Sequence, residues 1–369
     1  MEKESKWQKF KSWLKSPQGK KTIPIILIVL VVLGFLGYTI YSRYFKKDIP
    51  QEEQKEVFVG KEEKKEKCAL DGLMYEPEDA NRHPLAIIVE NHTQSRPHTG
   101  LNDATIVYEA IAEGGITRFL AIYGPKVPDK VGPVRSARTY YLDWTLEYDA
   151  FFAHVGGNMD ALDQIPNIGI KDLDQFSIGK EAYWRESRGG RATEHTMYTN
   201  PQKLYEVAKK KGWETEKFNL TSLEFKQELV QDERPESQII KINFSTDPYN
   251  VTWKYDRESN NYLRSMGSTA HKDELSGEQI KTKNIIVQTV ERTPTTTRIN
   301  ESGYNMKTVG EGKAKIFLDG TEIHGTWKKT NQKSRTLFYD EQGKQIKFNP
   351  GNFWYEIIPP ESTVTITES

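Results

Sequence analysis

The sequence predicts an α/β (α+β) fold for the first part of an ectodomain and a mainly β fold for the second, both behind one N-terminal transmembrane helix. Three observations carry this reading. An uncharged apolar run lies near the N-terminus. Short runs of branched and aromatic residues then alternate with helical patterns up to residue 232. From residue 233 onward strand-like runs follow one another between turns, and the helical period fades.

The apolar run, TIPIILIVLVVLGFLGYTIYS from Thr22 to Ser42, holds no charged side chain. About 20 such residues suffice for a helix to cross the hydrocarbon core, so residues 22–44 are predicted to be a transmembrane anchor. Residues 1–21 form a basic tail with Lys3, Lys6, Lys9, Lys11, Lys15, Lys20 and Lys21, whereas only Arg43, Lys46 and Lys47 follow the run closely. That asymmetry places the N-terminus in the cytoplasm and the rest on the outer face of the plasma membrane. Trp7, Phe10, Trp13 and Leu14 recur at helical spacing among the lysines. Two readings are open for this tail: an amphipathic helix on the anionic inner leaflet, or a solvated basic stop signal. Residues 45–67, mostly charged, read as a tether.

The chain carries 52 basic and 52 acidic side chains and one cysteine. The balance argues against a nucleic-acid partner, which needs a basic surplus on one face. The lone Cys68 excludes an internal disulfide, so the ectodomain rests on its core alone.

Within residues 68–232, PLAIIVE, ATIVYEAI, TRFLAIY and AFFAHV are predicted strands. Residues 136–147 and 201–211 are predicted helices, the second with Asn200 as cap, Pro201 in the first turn and Gly212 as stop. Within 233–369 the runs QIIKINFS, NVTWKYD, NIIVQTVE, KIFLDG, TEIHGTW, TLFYD and FWYEIIP are predicted strands, with a hairpin turn at Asp319-Gly320. This part is read either as a second domain or as a β extension packed on the first.

The succession ENHTQSRPHTGL, DATIVYEAIAEGGITRFLAIY, GPVRSART and HVGGNMDAL, followed by FLDGTEIHGTW and NPGNFWYEIIP, resembles the YerB-type lipoproteins of Gram-positive bacteria across most of the chain after Cys68. The resemblance implies a position on the outer face of the membrane and a family of unknown function with no agreed reaction. Members of that family typically carry a lipid-modified cysteine. Here a protein anchor stands in its place, and Glu66 and Lys67 precede Cys68, so lipidation is not carried over.

Candidate site residues come from four patterns. Arg96, Arg118, Arg135 and Arg138 sit beside turn or strand-end signals, and arginine's planar fork suits carboxylate or phosphate. Arg135 and Arg138 are expected on one face of a helix start. The alternative for all four is a structural ion pair with Glu90, Glu109 or Glu113. Glu109 and Glu113, four apart, are the catalytic candidates. On a helix they would lie about 5–6 Å apart at Cβ, but on the strand that ATIVY favours, about 13 Å. The run His154-Val155-Gly156-Gly157-Asn158 reads as a strand, a glycine turn open to a ligand, and a capped helix start. His83, His92, His98, His154 and His195 show no metal-ligand spacing, so neither metal nor cofactor is expected. Residues 185–198 read as a loop bordering the same pocket, or as surface only.

The expectation is a single pocket built by Asn91, Arg96, His98, Arg118, Arg135, Arg138, His154, Gly156, Gly157 and Asn158 with Glu109 and Glu113. It would bind an anionic or peptidoglycan-related glycan ligand. The alternatives are a wall hydrolase or lytic transglycosylase using Glu109 or Glu113, and a scaffold that binds membrane proteins through Trp253, Trp327, Phe353 and Trp354.

Overall fold

The computed structural model describes residues 6–44, 65–213 and 220–368. Two compact units divide the chain, Met1–Glu63 and Lys64–Ser369. In the first, helices span Lys6–Leu14 and Pro17–Tyr44. Rings on the short helix stack in sequence, Trp7 on Phe10 at 5.8 Å and Phe10 on Trp13 at 6.1 Å. The long helix has 28 residues, or about 42 Å at 1.5 Å per residue, enough to cross a bilayer core of about 30 Å. The predicted tether falls outside the described residues except at its end, where Glu66–Lys67 already pairs with Met74–Tyr75.

The second unit is built on a ten-stranded mixed sheet. Its order is Leu337–Asp340, Thr321–Lys329, Gly310–Leu318, Asn284–Thr289, Phe353–Ile358, Ile106–Glu113, Ile116–Tyr123, Leu85–Glu90, Phe151–His154, Lys171–Asp174. Segments from both sides of residue 232 thus share one sheet. The seam is a parallel ladder in which Phe353–Ile357 runs beside Ile106–Ala110. Of the two arrangements open from the sequence, this is the β extension packed on the first part.

Alternation decides what covers each face. Ala86, Ile88, Ile106, Tyr108, Leu120 and Ile122 pack with Tyr140, Tyr141 and Trp144 of the helix Thr139–Glu147 and Ala161 and Ile165 of Met159–Ile168. Leu85, Ile87, Val89, Val107, Phe119 and Ala121 pack on the other face. There they meet a six-stranded sheet through Ile240, Val251, Trp253 and Tyr262, and the helix Pro201–Lys210 through Leu204 and Val207. The result is a helix layer, a large sheet, and a sheet-plus-helix layer. Trp253, Trp327, Phe353 and Trp354 are all core residues, no more than 2% exposed, so none offers a surface to a partner.

Local signals read from the sequence recur in the structure. The Asn200 side chain accepts from the Lys203 amide at 2.9 Å and caps Pro201–Lys210, while Gly212 has a positive φ of +79° past its end. Asp319 and Gly320 both have positive φ, as a two-residue hairpin of primed type requires. One reading is corrected. The helix predicted from residue 136 begins at Thr139, because Arg135 N donates to Ile88 O at 3.0 Å and Ala137 N to Gly156 O at 2.9 Å, which keeps 134–138 extended.

Between the two sheets lies a buried polar cluster joining both halves. Glu109 pairs with Arg264, and neither side chain is exposed. Glu356 sits beside Glu109 across the parallel ladder and accepts from Trp253 Nε1 at 2.6 Å. Burial, then the Glu109 charge, pushes the Glu356 carboxyl well above the ordinary carboxylate value, so it stays protonated. Arg264 Nη1 donates to His271 Nδ1 at 2.6 Å, and this fixes the tautomer: His271 Nε2 carries the hydrogen and donates to His98 Nδ1 at 2.7 Å. Burial and the Arg264 and Arg96 charges hold both imidazoles well below the ordinary histidine value of 6.5.

Glu109→Gln or Glu356→Gln alone still leaves one carboxylate to face Arg264, so each should cost less than about 1.5 kcal/mol. The double variant strands a buried guanidinium and should cost about 3–5 kcal/mol; urea unfolding of the four proteins in detergent measures this, and additive losses would contradict the shared charge. For the histidines, folded and unfolded chains are both neutral well above pH 6.5. Below it the unfolded chain takes up protons that the folded chain refuses, so stability falls by about 1.4 kcal/mol per pH unit per ring, up to about 2.7 for both. Unfolding midpoints that stay level from pH 6.5 to 5.5 would refute it.

Candidate functional site

The residues expected to form one pocket are divided among three places. The first is the cluster just described and the cleft above it. Thr117 Oγ1 donates to Glu109 Oε1 at 2.7 Å, Asn91 Nδ2 donates to Thr117 Oγ1 at 2.7 Å, and Arg96 Nε donates to Asn91 Oδ1 at 3.1 Å. Arg96 Nη2 also donates to Asn91 O at 3.2 Å, and the guanidinium lies 5.2 Å from the Tyr249 ring. Arg96 and His271 therefore reach the wall of one cleft, of about 600 Å³, from opposite halves of the chain. Both are positioned by Glu109. His98 is fully buried beneath.

The second place is an ion triplet on the opposite face of the large sheet. Glu113 bridges Arg118, at 2.8 Å, and Arg138. Burial alone would raise its carboxyl, but the two guanidinium groups reverse this and hold it below the ordinary value. A β-bulge between Ile111 and Glu113 explains the placement. Strand alternation would put Glu109 and Glu113 on one face; the extra residue turns Glu113 to the other. The close carboxylate pair of the helical alternative is thus not formed. Glu109 has Glu356 as its carboxyl neighbour, and Glu113 is held in a structural ion pair.

The third place is a cleft of about 500 Å³ lined by Arg135, Ser136, Gly156, Gly157, Asp174, Phe176, Arg185, Glu194 and others. Arg135 is held from below: its Nε lies 3.1 Å from Glu90 Oε1, while His195 Nδ1 lies 2.9 Å from Glu90 Oε2. The rings of His195 and His92 stack at 4.4 Å. Arg185 and Glu194 show that the 185–198 loop does border this cleft, as one of the two sequence readings had it. Arg138 is not beside Arg135 on a helix face, since both precede the helix in extended backbone and point to different partners.

The glycine turn has a reason of its own. Gly156 has φ +58°, and a Cβ there would come within 3.0 Å of the Phe176 ring; one at Gly157 would crowd Leu162 and Ala137. Gly156 N donates to Asp174 Oδ1 at 2.8 Å. His154 is turned away from the cleft and fully buried, with Nε2 2.8 Å from Asp172 and Nδ1 2.8 Å from Gly156 O. Asn158 caps its helix, accepting from the Ala161 amide at 3.2 Å. Its side chain is committed to the fold.

Cys68 is buried, and burial followed by the Asp71 charge pushes its thiol up to about 11. It is an inert core residue at neutral pH. His83 stacks on Phe151 at 4.1 Å.

Sequence reading missed Arg264, His271, Glu356 and Phe176. Two of these had a signal. Arg264 occupies an inward position of NYLRSM, between Tyr262 and Met266, and Glu356 interrupts the apolar run FWYEII. A charge at an inward strand position implies a buried partner. His271 and Phe176 lie outside any periodic run.

Comparison with known proteins agrees with this fold. The model described as "Protein of unknown function (DUF3048) N-terminal domain" matches residues 70–214, and the corresponding C-terminal domain model matches residues 240–355. A Bacillus subtilis (strain 168) protein named "Putative lipoprotein YerB" is 31% identical over 312 residues, covering 83% of this chain and 90% of the relative. The crystal structure of YerB protein from Bacillus subtilis superimposes with a TM-score of 0.71 at 28% identity, covering 81% of this chain and 99% of that one. The two matched domain models, in order along the chain, and the relative 31% identical over most of its length show that this protein belongs to the YerB-like DUF3048 family, whose function is unknown.

Proposed function

We propose that the chain is a single-pass membrane protein with a cytoplasmic N-terminus, and that its extracytoplasmic unit binds a peptidoglycan-related glycan in the Arg135 cleft. The observation that carries the reading is Phe176. Its ring is 76% exposed at the cleft wall beside Gly156, although large aromatic rings in this unit are otherwise mostly buried. An exposed ring next to polar groups suits a sugar, whose apolar face stacks on the ring while its hydroxyl groups find donors and acceptors. Arg135 and Arg185 supply donors, Asp174 and Glu194 acceptors, and Ser136 either. Charges of both signs also match a muropeptide, which carries carboxylates and amines together. The family relationship and the apolar helix support a position at the membrane, where such ligands occur.

Phe176→Ala removes the ring without opening the core. Calorimetric titration of the full chain in detergent with soluble muropeptides should therefore show binding at least tenfold weaker than wild type, with an unchanged unfolding midpoint. Equal affinity in the two proteins, or no binding by either, would end the glycan reading. For topology, protease added to intact wall-stripped cells should digest the unit from residue 65 onward and spare an epitope fused at the N-terminus; loss of that epitope from intact cells would contradict the orientation.

A further inference from the structure

We infer that the Arg96 cleft is a second and separate binding site, for a small carboxylate that carries an apolar group. The inward-reaching arginines of the sheet core otherwise have an acidic partner: Arg118 and Arg138 share Glu113, Arg135 has Glu90, Arg264 has Glu109, and Arg335 has Glu147. Arg96 has none within 4.0 Å among the described residues; its polar contacts are with Asn91, and its Nη1 has no hydrogen-bond partner among them. The nearest buried carboxylate, Glu109, is taken by Arg264. Desolvating a guanidinium without a counter-charge is unfavourable. Asn91 holds the group in that position by two bonds, so its orientation is set before any ligand arrives.

The other lining residues define what would bind. Pro97, Pro248, Met266 and Ala270 make most of the wall apolar, and about 600 Å³ is the size of a small-molecule cleft. The charged groups there are Arg96, Lys272 and Asp247, so the cleft carries one cation in excess. His271 adds no charge, because it accepts from Arg264. A planar fork facing an apolar wall fits a carboxylate with an aliphatic or aromatic substituent better than a free inorganic anion, which would leave that wall wet.

The site shares no lining residue with the Arg135 cleft and stands or falls apart from the glycan reading. The test is calorimetric titration of the full chain in non-ionic detergent with three probes: N-acetyl-leucine, its uncharged amide, and inorganic phosphate. The acid should bind at least tenfold more tightly than either of the others. Arg96→Gln should lose that preference, as should Thr93→Glu, which sets a carboxylate in the lining from an exposed position and leaves the core untouched. Phe176→Ala should keep it. Equal binding of acid and amide, tighter binding of phosphate, no binding of any probe, or an unaltered preference in the Thr93→Glu protein would each overturn the inference.

Discussion

The contact between Glu109 and Arg264 is the constraint on which the rest of the second unit depends. The carboxylate stands on Ile106–Glu113 and the guanidinium on Asn261–Met266, and both are wholly buried between the two sheets. Removing two charges from water is expensive, and their attraction compensates only when geometry and remaining hydrogen bonds are satisfied. Thr117, Asn91 and His271 provide those bonds. The rings of Trp354, Phe119 and Trp253 surround the guanidinium at 4.7, 5.5 and 5.6 Å, which favours a cation there. A chain divided at residue 232 would leave each charge without its partner. The two matched domain models therefore describe sequence blocks that share one large sheet.

A second lock joins the halves on the opposite face of the large sheet. Glu147 ends the helix Thr139–Glu147 and accepts from Lys329 Nζ at 2.6 Å, Arg335 Nη1 at 2.6 Å, Thr336 N at 3.0 Å and Thr336 Oγ1 at 2.8 Å. Burial would raise this carboxyl, but Lys329 and Arg335 overcome it and hold it below the ordinary value. The two locks differ in kind. Glu147 is saturated with donors and has no neighbouring acid, so it contributes a fixed charge. The Glu109 cluster contains a protonated carboxyl and two neutral imidazoles, so it is the stability it contributes that depends on pH.

Sequence signals revealed elements better than sites. Strands and helices are dictated locally, by period, caps and turns, and Asn200, Asn158 and Asp319-Gly320 act as their sequence context implies. The parallel seam between Phe353–Ile358 and Ile106–Glu113 joins residues some 250 apart and has no local signature. The same distance hid the site. Arg96, Arg118, Arg135 and Arg138 are close in sequence and were expected together, but three different partners divide them: Asn91 for Arg96, Glu113 behind a bulge for Arg118 and Arg138, and Glu90 beneath a cleft for Arg135. One extra residue at the bulge was enough to send Glu113 to the far side of the sheet from Glu109. Such bulges follow from pairing partners, which the sequence of one strand does not specify.

The polar core also explains why a cation is left facing the Arg96 cleft. With Glu356 protonated and both imidazoles neutral, Glu109 is taken by Arg264, and no carboxylate among the described residues pairs with Arg96. Glu356 stays protonated because burial, and then the Glu109 charge beside it in the ladder, disfavour a second carboxylate there. An anion in the cleft would supply the counter-charge that Arg96 lacks.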